Sequence, residues 1–146
     1  MNKELLFKQA VTFFSAIHSK TFELTKDIQL EDLTKIQYSI LELLMFEPRK
    51  TPSEINSCLH LSMPNTSREL RKLEQKGFIK KYNDAFDKRK VFIELSELGH
   101  SIMNDAFSQI KVKFFASLKD ISEQDINDIS HAIKILQKKL LQSNDE

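Results

Sequence analysis

Along residues 1–24 apolar side chains recur at helical spacing: Leu6, Ala10, Phe13 and Ile17 form a stripe that Leu5, Phe7, Val11 and Phe14 widen. The pattern predicts a long helix whose stripe has more than one neighbour. After a polar connection around Asp27 to Asp32, Thr34 and Gln37 form a capping box for a helix carrying Ile36, Ile40, Leu41 and Leu44, which ends before Pro48. Thr51 opens the next helix as N-cap, with Pro52 where its missing N–H costs nothing and Glu54 closing a second capping box. Ile55, Cys58 and Leu59 fall on one face, so Cys58 is expected as a small core residue. His60 to Ser62 make a turn, and because Pro64 offers no N–H, the Ser62 hydroxyl must reach the N–H of Asn65 to cap a helix from Met63 to Lys76. That helix stops at Gly77, a left-handed residue placing Phe78 against Leu73 in a Schellman ending.

Phe78 to Tyr82 and Val91 to Leu95, rich in β-branched and aromatic residues, are predicted strands on either side of a basic tip from Asn83 to Lys90. Ser96 caps the helix that follows, in which Leu98, Ile102, Ala106, Ile110 and Phe114 recur every four residues and carry it to about Leu118. Gly99 in its first turn has no cause visible in the sequence. Ser122 to Asp125 start a last helix with acids at the positive end of its dipole. Within it Ile126, Ile129, Ile133, Leu136 and Leu140 alternate steps of three and four, a heptad seam that wants a partner helix. The polar tail from Gln142 to Glu146 is expected to fray.

Helix, turn, helix and hairpin in that order read as a winged helix, and here the chain resembles the MarR family of bacterial transcription regulators. The resemblance is carried by Leu33-Thr34-x-x-Gln37, by Leu73-Glu74-x-x-Gly77-Phe78-Ile79, and by Asp87-x-Arg89 with Leu95-Ser96-x-x-Gly99, where Ser96 stands in place of the more usual Thr. It implies a mainly α fold over 1–146: a winged helix-turn-helix lobe at 33–98, and dimerisation helices at 1–26 and 99–142. It further implies that Asp87 fixes the wing and orients Arg89, and that a small aromatic effector binds between the dimerisation helices and the lobe, beside Phe14, Ile17, His18, Tyr38 and Phe107.

Charge sharpens this picture. The net charge is only +1, yet Arg68 to Lys90 hold nine basic residues against four acids. A basic recognition helix and hairpin are the footprint of a DNA reader. Thr66, Leu70 and Leu73 hold the helix to the core; Asn65, Arg68 and Lys72 point to the major groove, where Asn pairs with adenine and Arg with guanine. Ser62, Arg71 and Lys72 are expected on phosphates, Lys88, Arg89 and Lys90 in or along the minor groove, and Thr66 joins this contact set. Leu6, Phe13, Ile129, Ile133 and Leu136 are the expected dimer contacts.

Other chemistry is missing from the pattern. The four histidines are scattered, a single cysteine can form no internal disulfide, and there is neither a phosphate loop nor a nucleophile in a recognisable setting, so no enzyme, metal or cofactor is expected. No secretory segment or bilayer-length apolar run occurs, which makes the cytoplasm the expected location. The expected function is therefore a homodimeric, sequence-specific regulator of double-stranded DNA with a pseudo-palindromic site, a repressor relieved by an effector. The rival is a winged-helix module that binds protein and never DNA, against which the concentrated positive charge argues.

Overall fold

The structure, a computed structural model, describes residues 2–28, 30 and 32–141. They fall into two compact units, Met1–Lys111 and Val112–Glu146. The frayed tail expected at 142–146 lies outside the described residues.

The first unit opens with α1 (Lys3–Thr25), capped by Asn2, whose side-chain oxygen accepts the Glu4 N–H at 3.0 Å. This helix buries no residue, and its apolar stripe stays exposed. The lobe follows as α2 (Lys35–Phe46), α3 (Pro52–Leu59), α4 (Met63–Gln75), β1 (Ile79–Asn83) and β2 (Val91–Leu95). Both expected capping boxes are present, Thr34 with Gln37 and Thr51 with Glu54. The core is a single cluster in which Ile40, Leu41, Leu44, Ile55, Leu70, Leu73, Ile93 and Met103 are almost wholly buried.

The turn after α3 closes through His60 at φ 53°, a left-handed cap that returns its N–H to the Asn56 carbonyl. Cys58 is exposed, not part of the core as its position suggested. On an eight-residue helix the inner ridge follows the step of four from Ile55 to Leu59, and Cys58 falls off its edge.

The α4 ending is the one the sequence implies. Gly77 has φ +80°, its N–H donates to the Glu74 carbonyl at 2.9 Å, and the Phe78 N–H donates to Leu73 at 3.0 Å. Closing that motif occupies Phe78, so β1 begins one residue later than expected and pairs antiparallel with β2 from Ile79↔Leu95 to Asn83↔Val91.

Helix α5 (Glu97–Ser117) is phased differently from the expected stripe. Gly99, Met103 and Ala106 face inward, whereas Leu98 is 53% exposed. The cause is the joint at its start. Ser96 Oγ donates to the Gly77 carbonyl and accepts the Gly99 N–H at 3.0 Å, and the Ser96 N–H donates to the Phe78 carbonyl at 3.0 Å. A Cβ on Gly99 would stand 2.1 Å from that Phe78 oxygen. Glycine there lets α5 touch the backbone that ends α4, and this contact fixes which side of α5 turns to the core.

In the second unit α6 (Glu123–Leu136) runs on into a π-helical turn at Gln137–Leu141. Ser122 caps it in a full capping box with Asp125. Both bonds from Ser122 to its carboxylate hold the Asp125 pKa below the usual carboxylate range, the side-chain bond more than the backbone one. Ile126, Ile129 and Ile133 are exposed along the seam, and Leu136 is half-buried.

Candidate nucleic-acid interface

Helix α4 separates its two faces cleanly. Thr66, Glu69, Leu70 and Leu73 are buried; Ser62, Arg68, Arg71 and Lys72 are exposed, and Asn65 lies between these extremes. The Ser62 hydroxyl accepts the Asn65 N–H at 3.4 Å, as the missing N–H of Pro64 requires. Thr66 leaves the expected contact set. It is fully buried, and its hydroxyl lies 3.1 Å from both Asn56 Oδ1 and the Ser62 carbonyl oxygen, so it ties α4 to α3.

Sequence reasoning passed over Glu69. A buried carboxylate needs partners, and this one accepts Gln37 Nε2–H at 2.8 Å while Lys72 Nζ stands 3.5 Å from its other oxygen. Gln37 Oε1 in turn accepts the Thr34 N–H at 3.2 Å and Lys76 Nζ–H at 3.1 Å, and Lys76 also donates to the Asp32 carbonyl. One glutamine side chain thus serves the cap of α2 and the inner edge of the recognition helix together. The signal available was an acid three residues after Thr66 and four before Leu73, on the core side of the helix.

The wing is held along its strands and at its tip. Midway along the hairpin, Lys50 pairs with Ile93 as a one-residue third strand, with N–H···O distances of 3.3 and 2.7 Å, and the Arg49 guanidinium carbon lies 3.9 Å from the Phe92 ring centroid and 5.2 Å from that of Tyr82. At the tip, Asp87 Oδ1 accepts from the Arg89 N–H at 3.1 Å and from Arg89 Nε at 3.4 Å, leaving the arginine side chain 93% exposed. Lys88 and Lys90 are exposed beside it.

The residues expected around an effector are only partly gathered. A cavity of about 680 Å³ between α1, the following linker and α2 is lined by His18, Phe22, Leu33, Tyr38 and Glu42 among others; Phe14, Ile17 and Phe107 do not line it. Phe107 instead meets Phe46 in a tilted ring contact with centroids 5.5 Å apart, while Phe14 and Ile17 lie exposed on α1. Burial first, and then the Glu42 carboxylate one turn on, by its charge and as a side-chain hydrogen-bond partner, raise the Tyr38 pKa, so the phenol stays neutral.

Among the described residues no group of His, Cys, Asp and Glu is placed to hold a metal ion, and no helix is long and apolar enough to cross a membrane.

An exposed basic helix seated on a helix-turn-helix and followed by a braced hairpin defines a winged helix-turn-helix protein of the DNA-binding class. The sequence model described as MarR family matches residues 33–91, from just before α2 to the first residue of β2. That match, together with relatives named HTH-type transcriptional regulators, marks residues 33–91 as a domain of the MarR type, a family of transcription regulators. The HTH-type transcriptional regulator MhqR of Bacillus subtilis is 22% identical over 131 residues, 90% of each chain. Among solved structures, a MarR family protein from Bacillus stearothermophilus superposes with a TM-score of 0.76 at 18% identity, covering 97% of this chain and 99% of its own. A point mutant of S. aureus MepR, bound to an oligodeoxyribonucleotide, gives 0.61 at 22% identity with the same coverage. At these identities the structural likeness speaks to fold.

Proposed function

We propose that this regulator works as a homodimer on a pseudo-palindromic duplex, in the cytoplasm, as a repressor. The observation that carries the reading is the division of α4. Its buried side is fixed by Thr66, Glu69, Leu70 and Leu73, which leaves Arg68, Arg71 and Lys72 as a preorganised cationic surface. Asn65 and Arg68 read base edges in the major groove. Ser62, Arg71 and Lys72 hold phosphates, and Arg89 with Lys88 and Lys90 takes the minor groove or its rim. The DNA-bound MepR relative supports this use of the fold. A protein-binding module would have no reason to gather these cations there.

Selection of bound sequences from random duplexes at two salt concentrations tests the reading. A palindromic consensus is expected, with half-sites about one helical turn apart. In that consensus Arg68→Ala should cost about 1–3 kcal/mol at one base pair and relax specificity there; Lys72→Ala should weaken all duplexes alike and lower the salt slope by about one unit. Equal binding by both variants and wild type would remove the interface.

The 680 Å³ cavity lined by His18, Phe22, Tyr38 and Glu42 favours an effector site. A small acid or phenol bound there against Tyr38 releases DNA only if it binds better when the recognition helices are wrongly spaced. The usual coupling is about 1–3 kcal/mol. Titrating salicylate-like acids and phenols should lower operator affinity in wild type and not in Tyr38→Phe; a broad panel that alters neither affinity nor thermal stability removes the site.

A further inference from the structure

Phe86, at the tip of the wing, is 99% exposed. A lone apolar side chain on a surface ordinarily needs no explanation. This one, however, is held in place. Its N–H donates to Asp84 Oδ1 at 3.3 Å, the Asp84 N–H donates to the Lys90 carbonyl at 2.9 Å, and the Lys90 N–H donates to the Asp87 carbonyl at 3.0 Å. Both acids of the tip engage its own backbone, Asp87 through the bonds to Arg89 already described. What the tip offers to solvent is a phenyl ring and, past the partly buried Asp87, exposed Lys88, Arg89 and Lys90. A minor groove complements that set, with apolar deoxyribose walls for the ring and phosphate rims for the cations. An apolar pocket on a protein would complement the ring and leave the three charges to be desolvated.

We infer that Phe86 is an apolar wedge that the wing presses into the minor groove beside each half-site, partly unstacking one base step while Arg89 lies along the groove. The inference rests on the duplex-binding reading above and adds a second kind of readout to it. Pyrimidine–purine steps unstack most easily, so such a step is favoured at the flank although no hydrogen bond reports its bases. The ring selects by deformability.

Full-length protein and its selected duplex test this, with the flanking step made either pyrimidine–purine or purine–purine and a 2-aminopurine placed in it, whose fluorescence rises on unstacking. Wild type should prefer the pyrimidine–purine flank and raise the signal. Phe86→Ala should bind that flank about tenfold more weakly, lose the preference and leave the probe dark, while Phe86→Leu keeps part of each. Because the ring is fully exposed, Phe86→Ala should keep the wild-type melting temperature. Arg68→Ala should weaken binding yet still distinguish the flanks. Should Phe86→Ala match wild type on both flanks with the same fluorescence rise while Arg68→Ala loses affinity, the wedge is wrong and the duplex reading stands. A Phe86→Ala effect confined to self-association in sedimentation also overturns it, by assigning the ring to a contact between copies. Wild type that binds no duplex removes both readings.

Discussion

Gly99 shows how much one missing carbon can decide. The Phe78 carbonyl oxygen occupies the space a Cβ would take, and the same carbonyl accepts the Ser96 N–H, so neither side of the contact can yield without breaking the end of the recognition helix or the start of α5. Gly99→Ala should therefore destabilise the protein by about 1–3 kcal/mol or more, read as a lower urea midpoint at unchanged slope. A variant as stable as wild type would mean the joint relaxes freely. Ser96→Ala removes a cap and the bond to Gly77 together and should cost about 1–2 kcal/mol. Residues with local causes were legible in the sequence: Thr34, Thr51, Ser62 and Gly77 meet partners within five positions, and all stand as the spacing implied. Gly99 and Glu69 were not. Their causes lie 21 and 32 positions away, at Phe78 and Gln37, beyond the reach of any local pattern.

Elements show the same division. The strands were placed from composition to within a residue, and the third strand residue, Lys50, went unseen because a single paired residue leaves no alternation to read. The phase of α5 was misjudged for a related reason: a step of four drew a stripe through Leu98 and Phe114, whereas the Gly99 contact rotates the helix toward Met103. Arg49 matters most at this scale, since its guanidinium lies over the Tyr82 and Phe92 rings that face each other across the wing. Arg49→Ala should cost about 0.5–2 kcal/mol and speed amide exchange in Ile79–Asn83 and Val91–Leu95 more than in α2. Uniform exchange across the lobe would argue that the wing needs no such brace. For α6 the relevant variable is pH. The folded Asp125 pKa is depressed, so its capping contribution is present above the unfolded carboxylate value and is lost as pH falls through the folded one. Asp125→Asn should remove that acid-dependent part of the α6 signal, followed by amide exchange or NMR shifts in α6; identical acid titrations would exclude it.

At the scale of the molecule, the described subunit leaves a great deal of apolar surface open. α1 and α6 bury nothing, and Leu6, Phe13, Ile129 and Ile133 are all roughly half exposed. The homodimer reading follows, with a concentration-dependent melting temperature as its signature. Deleting residues 123–146 should strip away one seam and leave aggregate or unfolded chain; a well-behaved monomer that still bound the operator would refute the arrangement. The seam of α6 was legible because a heptad pattern announces an unmet partner, whereas the identity of that partner is not a property of one chain.

The bare stripe of α1 has a further consequence, in time. α1 precedes the lobe and α6, so its Leu6, Phe13 and Ile17 leave the ribosome before those elements have been made. At the usual elongation rate of about 5–20 residues per second, translating these 146 residues takes roughly 7–30 seconds. A second polypeptide must then be met, so crowding of nascent chains along one message favours pairing, while sparse synthesis leaves α1 to chaperones.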